Sequence, residues 1–144
     1  MRAAAHWVVF AAIGVAACVS PGDPLERGEA LKQAQHRYTE ALRWGDLDKA
    51  ARYVDPEMRS DFLALADAFE TIRITDYDIG DLDLNQETLA QAEVDVTYRG
   101  YVLPVYVEKR VRDHQVWYRD KDSGNEWRVR PELAALIESI GAHR

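Results

Sequence analysis

The stretch AEVDVTYRG, residues 92–100, decides the fold: Ala92, Val94, Val96 and Tyr98 alternate with Glu93, Asp95 and Thr97 until Gly100. A period of two puts an apolar and a wet face on an extended chain, the mark of a half-buried strand. Downstream, Val105, Val107 and Val111 keep one phase while Val116 and Tyr118 keep the other, so a bulge or tight turn is expected at Arg112-Asp113-His114. Asp120 to Asn125, with Gly124, reads as a polar turn before a last strand carrying Trp127 and Val129. Pro131-Glu132 then opens a terminal helix with Leu133, Leu136, Ile137 and Ile140. Upstream, the pairs Ile72/Ile74, Tyr77/Ile79 and Leu82/Leu84 alternate but jump in parity, which predicts a bulged strand.

Before Phe69 the period is helical. Leu25, Leu31, Ala34, Tyr38, Ala41 and Leu42 form a stripe that Trp44-Gly45 ends. Asp46 is placed to cap a second helix, Leu47 to Val54, and Asp55-Pro56 to start a third that runs unbroken through Met58, Phe62, Leu65, Ala66 and Phe69. Helices first and hairpin-linked strands afterwards indicate an α+β domain with an antiparallel sheet, because parallel strands would need helical crossovers between them.

The chain has 144 residues, room for one core. Its net charge of −7 supplies no basic field for a phosphate backbone, so nucleic acid is not expected as a partner. A single cysteine excludes an intrachain disulfide and makes its position informative.

That cysteine closes the N-terminal segment. Met1-Arg2 precedes a run from Ala3 to Ala17 without Asp, Glu, Lys or Arg, shorter than the roughly 20 residues a spanning helix needs, and Ser20-Pro21-Gly22-Asp23-Pro24 follows at once. Val15-Ala16-Ala17-Cys18 resembles the lipobox of bacterial lipoprotein precursors. The resemblance implies a signal peptide over residues 1–17, a lipidated tether over 18–24 and a single α+β domain over 25–144. It also implies acylation of the Cys18 thiol and attachment to a membrane through N-terminal acyl chains. Val19, where Asp would favour the inner membrane, points by the same resemblance to the outer membrane facing the periplasm.

Three opening helices and long hairpin-linked strands through Trp117-Tyr118 and Glu126-Trp127-Arg128-Val129 resemble the nuclear transport factor 2-like superfamily. That implies N-terminal helices packed on a curved sheet shaped as a cone, with a short C-terminal helix added; a cystatin-like sheet around one helix is the competitor. Members with enzymatic activity, isomerase- or dehydratase-like, hold acids, histidines and tyrosines inside the cone, but a fold alone does not transfer a reaction.

No His-x-x-x-His, Cys-x-x-Cys, Gly-x-Ser-x-Gly or glycine-rich phosphate loop occurs. His36, Tyr38, Asp55 and Asp76 are the acid–base types that could converge, yet His36 stands among charged helix neighbours, and His114 and His143 lack spaced partners. The run Asp76 to Asp83 fails the calcium-loop spacing and reads as the wet face of a strand. No cofactor or metal is expected, and no catalytic residue is assigned. Tyr98, Tyr101, Tyr106, Trp117 and Trp127 are the candidate pocket or interface residues, since Tyr and Trp suit apolar surfaces that keep a polar tip satisfied. Arg110, Arg112, Arg128 and Arg130 are expected to form cross-strand pairs with Glu108, Asp113 and Glu126. The leading expectation is a non-enzymatic module binding another envelope protein or a small apolar ligand. A pocket enzyme and a structural envelope component are the alternatives.

Overall fold

A computed structural model describes residues 24–122 and 124–142. The expected signal peptide, nearly all of the tether, Cys18 and His143 lie outside the described residues. Among these residues no helix is long and apolar enough to cross a membrane.

Helix α1, Pro24–Arg43, is followed by the short helices α2, Leu47–Ala51, α3, Arg59–Leu63, and α4, Ala66–Phe69. Proline suits the first turn of α1, where its missing N–H would have no intrahelical partner. The helix ends at Gly45, whose φ of 72° lets its N–H reach the Leu42 carbonyl at 3.0 Å while the Asp46 N–H reaches that of Ala41 at 2.9 Å. Asp46 caps α2 as expected, accepting from the Lys49 N–H at 3.1 Å.

Two helical expectations need correction. The second helix stops at Ala51, because residues 53–55 leave it to join the sheet edge. The unbroken third helix is instead α3 and α4, parted at Leu65, whose ψ of 2° departs from helical geometry. The split lets both Phe62 and Phe69 turn into the core.

The strands β1, Ile72–Leu84, β2, Gln91–Val102, β3, Val105–Asp120, and β4, Glu126–Arg130, form one curved antiparallel sheet in that order. The register of β1 on β2 shifts between Ile74 and Asp76 and again between Ile79 and Leu82, where parity jumps in the sequence. Val54 bridges Val129 in parallel, so the free edge of β4 is covered by residues 53–55. Helix α5, Leu133–Gly141, crosses β3, β2 and β1 and buries Leu133, Leu136 and Ile140.

The phase change expected in β3 is also corrected. β3 pairs with β2 without a break from Lys109 to Tyr118, so the inward positions run Val111, Asp113, Gln115 and Trp117. Val116 and Tyr118 belong to the other face. The apolar alternation seemed to switch because two inward positions hold polar residues.

Candidate functional site

The inward face of the sheet carries the only buried polar cluster among the described residues that lies between α1 and the strands. Asp113 is 9% exposed, Gln115 1%, Thr39 0% and Gln35 2%, surrounded by Tyr38, Tyr98 and Trp117. Alternation brings them together: Gln115 opposes Val94 and Asp113 opposes Val96 on β2, two residues before Tyr98. Gln115 uses its whole amide, the Nε2 donating to Asp113 Oδ2 at 2.9 Å and to the Tyr98 hydroxyl at 3.3 Å, the Oε1 accepting from the Trp117 indole at 3.1 Å. The Tyr98 hydroxyl also meets Thr39, and the Gln35 amide donates to the Thr39 hydroxyl at 3.0 Å. Buried polar groups are costly unless bonded, and these bond one another.

Burial sets the electrostatics. It pushes the Asp113 carboxyl above its ordinary range, the Gln115 bond opposing and the nearby Glu132 reinforcing the shift. Desolvation likewise drives the Tyr38 and Tyr98 phenols up, with Asp113 adding to both. Neither phenol ionises near neutral pH, so the cluster is a set of neutral donors and acceptors around one displaced carboxyl.

The aromatic residues picked from the sequence divide into two places. Tyr98, Trp117 and Trp127 are core, at 0%, 0% and 5% exposure. Tyr101 and Tyr106 instead pair with ring centroids 5.3 Å apart at the β2–β3 hairpin end, which turns through a cis Leu103-Pro104 bond. Beside them Tyr106 and Val107 are 72% and 62% exposed. This hairpin end is the most apolar exposed surface of the sheet.

The acid–base candidates do not converge. Tyr38 packs in the core, whereas Asp55 accepts from Arg130 Nε at 3.2 Å and Asp76 pairs with Arg99. Burial pushes Asp55 up, but the Glu57 N–H, the Tyr118 hydroxyl and Arg130 outweigh it and hold the carboxyl below its usual range. His36 is exposed and 3.5 Å from the Tyr77 hydroxyl, which donates to Glu40 at 2.8 Å; burial, then Glu40, raise that phenol to about 12. His114 lies on the outer face, its Nδ1 2.8 Å from Asp95. Among the described residues no group of three or more His, Cys, Asp or Glu is arranged to hold a metal ion.

The arginine pairings also need correction. Arg128 meets Glu126 within β4 and not across strands, Arg112 lies 3.8 Å from Asp95 because Asp113 faces inward, and Arg130 pairs with Asp55. Asp113 and Gln115 are the residues that sequence reading missed as a site. Their signal was present, in phase with Val111 and Trp117, but a polar residue at an apolar position reads as a break in the pattern.

No protein-family model matches the sequence, and no curated protein matches it. Solved structures do. A protein from Novosphingobium aromaticivorans assigned as a scytalone dehydratase superposes with a TM-score of 0.56 at 9% identity, over 74% of this chain and 80% of that one. One from Streptomyces avermitilis, assigned as a dehydratase of the nuclear transport factor 2-like family, gives 0.52 at 17% identity, over 77% and 99%. A ketosteroid isomerase-like protein from Erwinia carotovora gives 0.50 at 14% identity, over 69% and 88%. At such identities the likeness concerns architecture and carries no activity across. Helices in front, a curved four-stranded antiparallel sheet and a short closing helix make this chain an α+β protein of the nuclear transport factor 2-like fold.

Proposed function

We propose that this chain is a lipoprotein of the bacterial envelope, acylated at Cys18 and held in the outer membrane facing the periplasm. Its folded domain is a non-enzymatic module that binds another envelope protein through the β2–β3 hairpin end. The observation that carries the binding reading is the filled inward face. Tyr38, Tyr98, Val96 and Trp117 are at most 1% exposed, and Asp113 and Gln115 spend their hydrogen bonds on each other and on their neighbours. A general acid or base must come within about 3 Å of a substrate proton, and in this cluster the Asp113 carboxyl is 9% exposed and already accepts from Gln115. The aromatic surface that the sheet presents is the Tyr101–Tyr106 pair with Val105 and Val107, the composition of a protein contact core.

The anchoring reading rests on Val15-Ala16-Ala17-Cys18 behind a short apolar run. Cleavage before Cys18 removes Arg2 and no acid, leaving the chain one unit more negative than −7. Anionic lipid repels such a protein, so acyl chains supply the attachment, each buried methylene adding about 0.8 kcal/mol. Cys18→Ser tests this by metabolic labelling with a fatty acid; loss of label and of membrane fractionation is expected, and unchanged label would refute it. For the partner, a photo-crosslinker at position 106 in native membranes should capture one envelope protein that a crosslinker at Lys121 does not. Capture of lipid alone, or of the chain alone, would remove the partner.

A second reading, a pocket enzyme of isomerase or dehydratase type, is favoured by the raised Asp113 carboxyl beside Tyr98, an environment that catalytic acids share. It requires the core to open around Asp113. Turnover of an isomerase- or dehydratase-type substrate by the parent, lost in Asp113→Asn, would favour this second reading; no turnover by the parent would remove it.

A further inference from the structure

We propose that the groove between the first half of α1 and the β3–β4 turn binds an amphiphilic oxyanion, a phosphate or carboxylate carried on an apolar body. This goes beyond the hairpin reading and does not rest on it. The groove encloses about 640 Å³, within the range of small-ligand sites. Five arginines line it, Arg27, Arg37, Arg52, Arg119 and Arg128, against two acids, Glu26 and Glu126, in a chain whose net charge is −7. Local charge thus runs opposite to the molecule as a whole.

Two of the five guanidinium groups are held in place. Arg119, at the inward end of β3, donates from Nε to the Asn125 carbonyl at 3.2 Å. Arg128, its side chain 12% exposed, donates from Nη1 to the Arg52 carbonyl at 2.5 Å and from Nη2 to Glu126 Oε2 at 2.5 Å, so one of the two acids is already engaged. Partial burial, and then the charge of Arg27, disfavour the Arg119 cation. An oxyanion seated between these groups offsets both desolvation and repulsion. No lysine lines the groove, and the planar fork of arginine matches phosphate and carboxylate oxygens in pairs. The rest of the lining includes Trp127, Tyr53, Ala30 and Ala34, an apolar floor that a bare inorganic anion would leave unused. A polyanion is disfavoured by the surrounding acidic surface, which leaves a small ligand.

Two sources share this chemistry, the headgroup region of an anionic phospholipid and a soluble organic anion. Isothermal calorimetry on the full chain, purified in a neutral maltoside detergent, with phenyl phosphate, dihexanoyl phosphatidylglycerol and inorganic phosphate separates them. Saturable binding of either organic probe is expected, at least tenfold weaker in Arg119→Gln and in Arg37→Gln, an exposed position that keeps the test open if the first variant misfolds. Arg110→Gln, away from the groove, should bind as the parent does. Tighter binding of the phospholipid assigns a membrane source, and tighter binding of phenyl phosphate a soluble one. No saturable binding, undiminished affinity in both groove variants, or inorganic phosphate binding as tightly as the organic probes would overturn the proposal.

Discussion

Tyr38 and Trp117 meet edge to face, ring centroids 5.8 Å apart and planes at 85°. Both are fully buried, and the Phe62 ring centroid lies 6.4 Å from that of Tyr38, so these contacts tie α1 and α3 to the C-terminal part of β3. Edge-to-face pairs add about 0.5–1.5 kcal/mol beyond their burial.

Trp117→Ala is therefore expected to destabilise the domain by about 3–5 kcal/mol, most of the stability of a marginal fold. Trp117→Phe keeps an aromatic ring, smaller than the indole, but leaves Gln115 Oε1 without its donor, at a cost of about 1–3 kcal/mol. Urea unfolding checks both: a Trp117→Phe variant as stable as the parent would contradict the role given to the indole bond, and equal losses in the two variants would contradict the role given to the ring contact.

Asp113→Asn should raise stability at neutral pH. A carboxyl whose folded pKa lies above its unfolded value, about 3.9, stabilises fully below the unfolded value, and that stabilisation is lost as pH rises through the folded pKa. At pH 7 the parent thus bears the desolvation cost that raises the carboxyl, a cost the neutral amide lacks. A Tm rise of about 2–5 °C is expected at pH 7 and less at pH 4, read by calorimetry across that range.

How far this cluster was legible in the sequence follows from the same residue. The α1 stripe from Leu31 on, the β2 alternation and the parity jumps of β1 were readable, because each is a periodic placement of apolar side chains; Leu25 instead stands exposed, and Gln35 and Thr39 share the buried face of α1. Asp113 and Gln115 broke that code. Their inward direction is dictated by an unbroken register with β2, a long-range relation that local spacing does not contain. The same holds for Leu65, where two phenylalanines needing the core from different directions outweigh helical propensity. Tyr101 and Tyr106, five residues apart, were legible as aromatic but not as a pair, since only the hairpin turn sets them side by side.

Two glycines make opposite demands. A Cβ at Gly100 would stand 2.6 Å from the Arg73 carbonyl oxygen and 3.3 Å from Ile74 Cα, so Gly100→Ala should cost about 1–3 kcal/mol by forcing β1 away from β2. Gly28 lies inside α1 with nothing within 4 Å, and Gly28→Ala should gain about 0.5–1 kcal/mol of helix propensity. Thermal melts of the two variants should move in opposite directions.

His114 supplies a pH signature at the outer face. The Asp95 hydrogen bond raises its pKa, with the charges of Asp95 and Glu93 adding to the effect. Its contribution is fully present below the unfolded value, about 6.5, and fades as pH rises through the folded one. The His114 imidazole resonance should titrate above that value in the parent and move down in Asp95→Asn. An unchanged midpoint would show that the 2.8 Å contact carries no charge coupling.

The two register breaks of β1 reach beyond this molecule. As the outermost strand on its side of the sheet, β1 presents a ladder whose spacing is interrupted at Asp76 and again before Leu82, with Asp78, Asp81 and Asp83 exposed. A neighbouring copy approaching edge-on finds neither an even row of peptide groups nor a neutral surface, so fibre-like templating stalls at its first step.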